Sequence, residues 1–302
     1  YALEPLAGGL SAADRVRAFS RALPNVVSTF ILADPQTLLE TASDEQAIER
    51  SEWNSVELIA ALEEACGVAG AAGDNVEALL YCRADAPFLD PTVAERMLET
   101  HYTYVSEYTF ADGYPVGMTP EILDPRILSR LRSLAENSPQ PVGRDALFEV
   151  IQKDINAFDV ETELSPVDLR MLRATLACDT RRNYLLCERV ASRTDSSSGS
   201  GSGTRGTTGG DDAGLSRRGA GIFELLRHHQ EVLRTLPAYT SIQVVEGDVQ
   251  TPIHSPYTLF RPDALEVRDE MPLERFVGLI SDLARFAPDG MVHISLWGEA
   301  GL

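Results

Sequence analysis

The residues best placed for chemistry lie in the stretch Leu79–Gly117. Ala78-Leu79-Leu80-Tyr81-Cys82 is an apolar run of the length of a buried strand. It stops at Arg83-Ala84-Asp85-Ala86-Pro87, which predicts Asp85 at the strand's carboxyl end, where open α/β sheets bind their ligands. Asp90 followed by Pro91 reads as the cap and first residue of a helix that runs to about His101. Tyr104–Thr109 is rich in β-formers and ends at the turn Ala111-Asp112-Gly113. These segments predict a βαβ unit with a carboxylate at its mouth. The competing reading of Asp85 is a plain turn residue, since aspartate before proline is common without function.

Other polar groups carry weaker signals. Lys153, Asp154, Asn156, Asp179, Arg181, Arg182 and Asn183 read first as a network of caps and salt bridges, and second as a converging site. Glu57, Glu63 and Glu64 read as a solvated helix face. His228 and His229 are neighbours, about 100° apart on a helix, so they cannot jointly face one metal. Cys66, Cys82, Cys178 and Cys187 lack metal-ligand spacing and read as buried reduced thiols. Cys178 and Cys187, nine residues apart, would fall on opposite faces of a shared helix.

The elements that must position these groups alternate. A capped helix opens at Ser11 with Val16, Phe19 and Leu23 inward, Val26–Leu32 is a strand, and Ser51–Cys66 is a helix. Thr119–Glu136 reads as one broken helix or two short ones. Asp145–Arg193 reads as helical, with a start at Ser165-Pro166-Val167-Asp168. Thr194–Arg218 is a Ser/Gly/Thr tract with too little to bury, and predicts a linker or insertion. Beyond it come a helix over Ile222–Leu236, a strand over Ser241–Val245, a helix over Pro272–Phe286 and a strand over Met291–Leu296. The fold class is therefore α/β with a mainly parallel sheet. Residues 1–193 form one domain whose part from about 140 is a helical extension, 194–218 the linker, and 219–302 a second region.

At 302 residues, 44% hydrophobic and 24% charged, the chain has the composition of a globular protein. A formal charge of −20 argues against nucleic acid and anionic membrane surfaces as partners, but not against a small anion held by local arginines. No signal peptide or bilayer-length apolar run is present, so the expected location is the cytoplasm, without membrane insertion. A chain that starts at Tyr1 and stops within a motif reads as a piece of a longer one.

Asp85-Ala86-Pro87-Phe88-Leu89-Asp90-Pro91, then Tyr104-Val105-Ser106, then Asp112-Gly113, resembles the core of the sugar-activating cytidylyltransferases, of the spore-coat polysaccharide and CMP-KDO synthetase type. With its flanks the resemblance covers roughly residues 1–135. It implies a nucleotide-diphospho-sugar-transferase-like fold, CTP-dependent sugar activation, and Mg²⁺ held on the nucleotide phosphates by Asp85. It also implies a nucleotide or nucleotide sugar bound by Arg83, Asp85, Asp112 and Gly113. The chain departs from the family in two places. Glu4 stands where the K-P-L-x-G segment has lysine, and Pro115 and Gly117 replace the two later carboxylates of D-G-L-D-V-E.

The runs K-D-I-N-x-F, E-T-E-L-S-P-x-D-L-R and D-T-R-R-N resemble spirochaete proteins in which such a domain precedes a radical-SAM/SPASM region. Gly298-Glu299 matches the pair that meets S-adenosylmethionine in that family. The three cluster positions, however, hold Asp248, Pro252 and Ser255, so neither an iron–sulfur cluster nor S-adenosylmethionine is expected. Three functions stay open: a nucleotidyltransferase, a non-catalytic binding or scaffold module beside a degenerate radical-SAM region, and a radical-SAM maturase.

Overall fold

The computed structural model describes residues 1–37, 41–197, 221–246 and 269–294. Its centre is a four-stranded sheet of β3 (Leu79–Tyr81), β5 (Glu121–Leu123), β4 (Tyr108–Asp112) and β6 (Val160–Leu164), in that order. β4 and β6 are parallel, and β5 runs antiparallel to both β3 and β4. Three of the four strands therefore share a direction. Their carboxyl ends, and the amino end of the reversed β5, lie along one edge.

Helices cover both faces. On one, α2 (Ser55–Ala71), α4 (Leu128–Glu136) and α5 (Ala146–Ile151) bury Leu58, Ile59, Leu131, Leu147 and Ile151 against Tyr108 and Leu123. On the other, α3 (Pro91–Thr103) packs Val93 and Met97 on Ile122 and Leu80. α3 starts as expected: Asp90 accepts from Thr92 N and Pro91 occupies the first turn. α1 (Ala12–Ala22) has a reciprocal capping box between Ser11 and Asp14 and buries Phe19, with Leu23 just past its end in the same cluster. A separate parallel pair, β1 (Thr29–Ala33) with β2 (Glu45–Glu49), lies against α2.

Several expectations need correction. The βαβ unit exists, but β5 is inserted between β3 and β4, and β4 begins at Tyr108 because α3 runs on to Thr103. β5 falls inside the stretch read as helix; three residues are too few to show any period. Asp145–Arg193 is not one helical unit. Asp154 has non-helical backbone angles that interrupt the helical turns begun at Ala146, and Val160–Leu164 adds a strand to the central sheet. Ser165-Pro166-Val167-Asp168 starts no α-helix either; Asp168 instead accepts from Arg170 N in a single 3-10 turn, Arg170–Leu172. β2 was also unread.

α6 (Arg181–Ser197) continues to Ser197, and residues 221–228 form α7. Ile222 and Leu226 of α7 share a buried cluster with Leu186, Cys187 and Val190 of α6, and with Leu6, Phe88 and Met118 of the body. Cys178 precedes α6 rather than sharing it with Cys187. The two thiols touch, which the opposite-face expectation excluded, and all four cysteines are free.

Further on, β7 (Tyr239–Ile242) and β10 (Met291–Ile294) are parallel and joined through α8 (Leu273–Phe286). This is the expected strand–helix–strand block, which any α/β repeat provides. Phe276, Ile280 and Leu283 are half-buried, and Leu279 is exposed. A short antiparallel pair, β8 (Val245–Glu246) with β9 (Asp269–Glu270), lies between them. Arg182 ties the block to α6 through Asp289 and the carbonyls of Leu236 and Pro237, and Arg181 does so through those of Arg285 and Phe286. The Ser/Gly/Thr tract beyond Ser197, the loop Asp248–Tyr257 and Gly298-Glu299 lie outside the described residues. No described helix is long and apolar enough to cross a membrane.

Candidate functional site

β3 ends at Tyr81, and the chain turns through Arg83 to Asp85, so both side chains stand at the sheet's carboxyl edge. Asp85 is buried, at 7% exposure. One carboxylate oxygen accepts from Arg83 Nε at 3.4 Å, and the other from Arg144 Nη2 at 3.0 Å. Arg144 also holds Asp179 at 2.6 Å, and Asn183 Nδ2 donates to that aspartate at 2.8 Å. Arg83 reaches on to the Gly143 carbonyl at 2.9 Å. Burial works against the charged Arg144, but Asp85 and Asp179 outweigh it and leave its pKa raised. For Asp179 burial is likewise the largest influence, yet Asn183 and Arg144 hold its pKa below the ordinary value. Two guanidinium groups and two carboxylates thus form one neutral corner.

Glu121 stands beside it. As the first residue of β5 it pairs with Tyr81, the last of β3, so the reversal of β5 brings it to the same edge. The buried Tyr108 hydroxyl donates to its Oε2. Burial pushes the Glu121 carboxyl up to about 7; Asp145 adds to the rise, while the Tyr108 hydroxyl and Arg83 oppose it. A carboxyl that titrates near neutrality beside an arginine is suited to proton exchange.

Asp112 and Gly113 are not brought into this corner. β4 lies two strands from β3, about 10 Å at ordinary strand spacing. There Asp112 pairs with Arg170 at 3.1 Å and accepts from Gly113 N at 2.7 Å. Gly113 has φ +86 and packs against Ser165, where an added Cβ would stand 3.1 Å from that of Ser165.

The edge is not open over its whole length. Cys178 N donates to the Asp85 carbonyl at 2.7 Å, and Leu176 N to that of Val116 at 2.8 Å. The Thr175–Cys178 segment therefore lies across both loops. Gly117 accommodates it: φ is +89, and a Cβ there would meet the Leu176 carbonyl oxygen at 2.3 Å. Gly117 is the position at which the D-G-L-D-V-E pattern has its glutamate. Here backbone fills that space.

Of the polar set read from the sequence, only Asp179 and Asn183 reach the site. Lys153 binds the Leu134 and Ser138 carbonyls, and Arg181 and Arg182 hold the C-terminal block. Glu57 and Glu64 pair with Arg50, and Glu63 with Arg132; Glu64 is exposed and the other two glutamates are half-buried. Arg144, Glu121 and Tyr108 were missed. Gly143-Arg144-Asp145 carries no motif, and Glu121 lay in a stretch assigned to helix.

Residues for the implied Mg²⁺ can be judged from their donors. Both Asp85 oxygens are taken by guanidinium groups, and Asp112 is paired as well. Among the described residues no group of three His, Cys, Asp or Glu side chains is placed to hold a metal ion. This arrangement does not fit a magnesium site.

The structure resembles that of a cytidylyltransferase from Leptospira borgpetersenii serovar Hardjo-bovis (strain JB197), with a TM-score of 0.55 and 13% identity over 79% of this chain and 91% of the other. The chain has a cytidylyltransferase-like fold. The likeness reaches further than the motifs: 79% of the chain is more than residues 1–193 can supply out of 302. A second match, to 2-C-methyl-D-erythritol 4-phosphate cytidylyltransferase from Thermus thermophilus, has a TM-score of 0.45 at 14% identity, over 63% of this chain and 91% of that one. Two uncharacterized proteins of Treponema pallidum (strain Nichols) are related in sequence. One is 26% identical over 153 residues, 51% of this chain and 35% of its own length. The other is 36% identical over 66 residues, 22% of this chain and 30% of its own length. The chain thus spans about a third of the length of these relatives. No family model matches it.

Proposed function

We propose that this chain binds a nucleotide or nucleotide sugar at the carboxyl edge of its central sheet, and that it does so as a binding module rather than as a transferase. Arg83 and Arg144 are the groups that meet phosphate, and Asp85 and Asp179 hold them in place until the ligand arrives. The reading is carried by the Arg83–Asp85–Arg144 corner, which stands where α/β sheets take their ligands on a cytidylyltransferase-like fold. Loss of catalysis is supported by Gly117, whose position could regain a carboxylate only by displacing Leu176.

Division of the chain near 194–218, and descent of residues 219–302 from a radical-SAM region, belong to the same proposal. The second rests on Gly298-Glu299 and on the parallel β7–α8–β10 block.

Calorimetric titration of the chain with CTP and with CDP-glucose tests the binding. Saturable binding that Arg144→Ala weakens at least tenfold is expected, a loss of about 1.4 kcal/mol or more. Equal binding by both proteins would remove the site. Release of pyrophosphate from CTP on adding a sugar acid would show a transferase instead.

A further inference from the structure

The corner poses a problem of charge. A nucleotide sugar brings two phosphate charges, which related chemistry balances with Mg²⁺. Here the donors do not fit a metal, and Asp85 and Asp179 already offset the two arginines. Asp145 and an ionised Glu121 would leave the site at a formal −2 before any ligand entered. An anion binds there only if some of that negative charge is removed.

Resting on the nucleotide reading above, we propose that the site balances a pyrophosphate-bearing ligand by taking up a proton at Glu121, where other sites of this chemistry use a metal ion.

Geometry singles out Glu121. Asp85 and Asp179 are each in contact with a guanidinium, whereas among the described residues no cation pairs directly with Glu121. Its direct hydrogen-bond partner is the neutral Tyr108 hydroxyl on β4. Tyr81 faces it from β3, with Cys82 and Arg83 following, and Asp145 faces it from the loop before α5. Among the described residues these are the charged and titratable groups in recorded interaction with it. Burial leaves the free carboxyl titrating near pH 7, so small changes in local charge move its proton. An anion arriving at Arg83 disfavours the glutamate anion, and solvent supplies the proton. By reciprocity, protonated Glu121 favours the anion. The ligand class is a nucleoside diphosphate sugar without metal.

The test uses the whole chain and CDP-glucose, a pyrophosphate diester whose charge is constant across the neutral range. Titrations in EDTA, in two buffers of different ionisation enthalpy, count protons. Wild type should take up more than about half a proton at about pH 8 and almost none at about pH 5.5, with affinity about tenfold weaker at pH 8 than at pH 6. Glu121→Gln should take up none, and should bind at pH 8 at least as well as wild type at pH 6. Tyr108→Phe removes a hydroxyl that stabilises the anion, so it should move the break to higher pH; this variant also serves if Glu121→Gln fails to fold. Binding without proton uptake, binding that requires Mg²⁺, or one pH profile for all three proteins would overturn the inference while leaving the nucleotide site standing. No binding at any pH would remove both.

Discussion

Replacement of Gly117 by alanine probes the contact that separates this chain from the D-G-L-D-V-E pattern. At φ +89 a side chain meets the penalty of the left-handed region, about 1–2 kcal/mol. The added Cβ would also lie 2.3 Å from the Leu176 oxygen and 2.9 Å from its carbonyl carbon. Both are backbone atoms, so no rotamer change relieves the overlap. The segment is pinned by the hydrogen bonds from Leu176 N to the Val116 carbonyl and from Cys178 N to the Asp85 carbonyl. Forcing it away adds about 1–3 kcal/mol, as overpacking usually does. The expected loss is about 3 kcal/mol, within a range of roughly 2–5. Urea unfolding of the chain reads it, with Gly67→Ala as the control. Gly67 lies inside α2, and a Cβ there meets no heavy atom within 4 Å, so alanine should stabilise by up to about 1 kcal/mol. A Gly117→Ala protein within about 0.5 kcal/mol of wild type would refute the packing of Thr175–Cys178 over this edge.

Glu121 should also mark the stability curve. Its folded pKa of about 7 lies above an ordinary 4.5, so its contribution is full below about pH 4.5 and is lost as pH rises through 7. That difference amounts to roughly 3 kcal/mol. Glu121→Gln should remove this alkaline decline in urea unfolding between about pH 5 and 8, and an unchanged decline would assign it to another group. Leu131, fully buried on α4 against α2, should cost about 3 kcal/mol when cut to alanine, and a loss under about 1 kcal/mol would contradict that packing.

What the sequence determined by itself was local. The Ser11–Asp14 box, the Asp90-Pro91 start and the corner after Leu79–Tyr81 each depend on residues within a few positions of one another. Arg83 and Asp85, two residues apart, were therefore placed correctly at a strand's carboxyl end. Tertiary structure decided the rest. Arg144 meets Asp85 across 59 residues and Asp179 across 35, and neither pairing leaves a mark on local pattern. Glu121 reaches the site only because β5 is reversed between β3 and β4, and a three-residue strand has no period to read. Asp112 was expected beside Asp85 because the family resemblance implies both at one nucleotide site, but strand order sets them two strands apart. Electrostatics followed the same division. The charges were legible in the residue types, while the burial that moves the Glu121 proton toward neutrality arises only once the strands and α5 close around it.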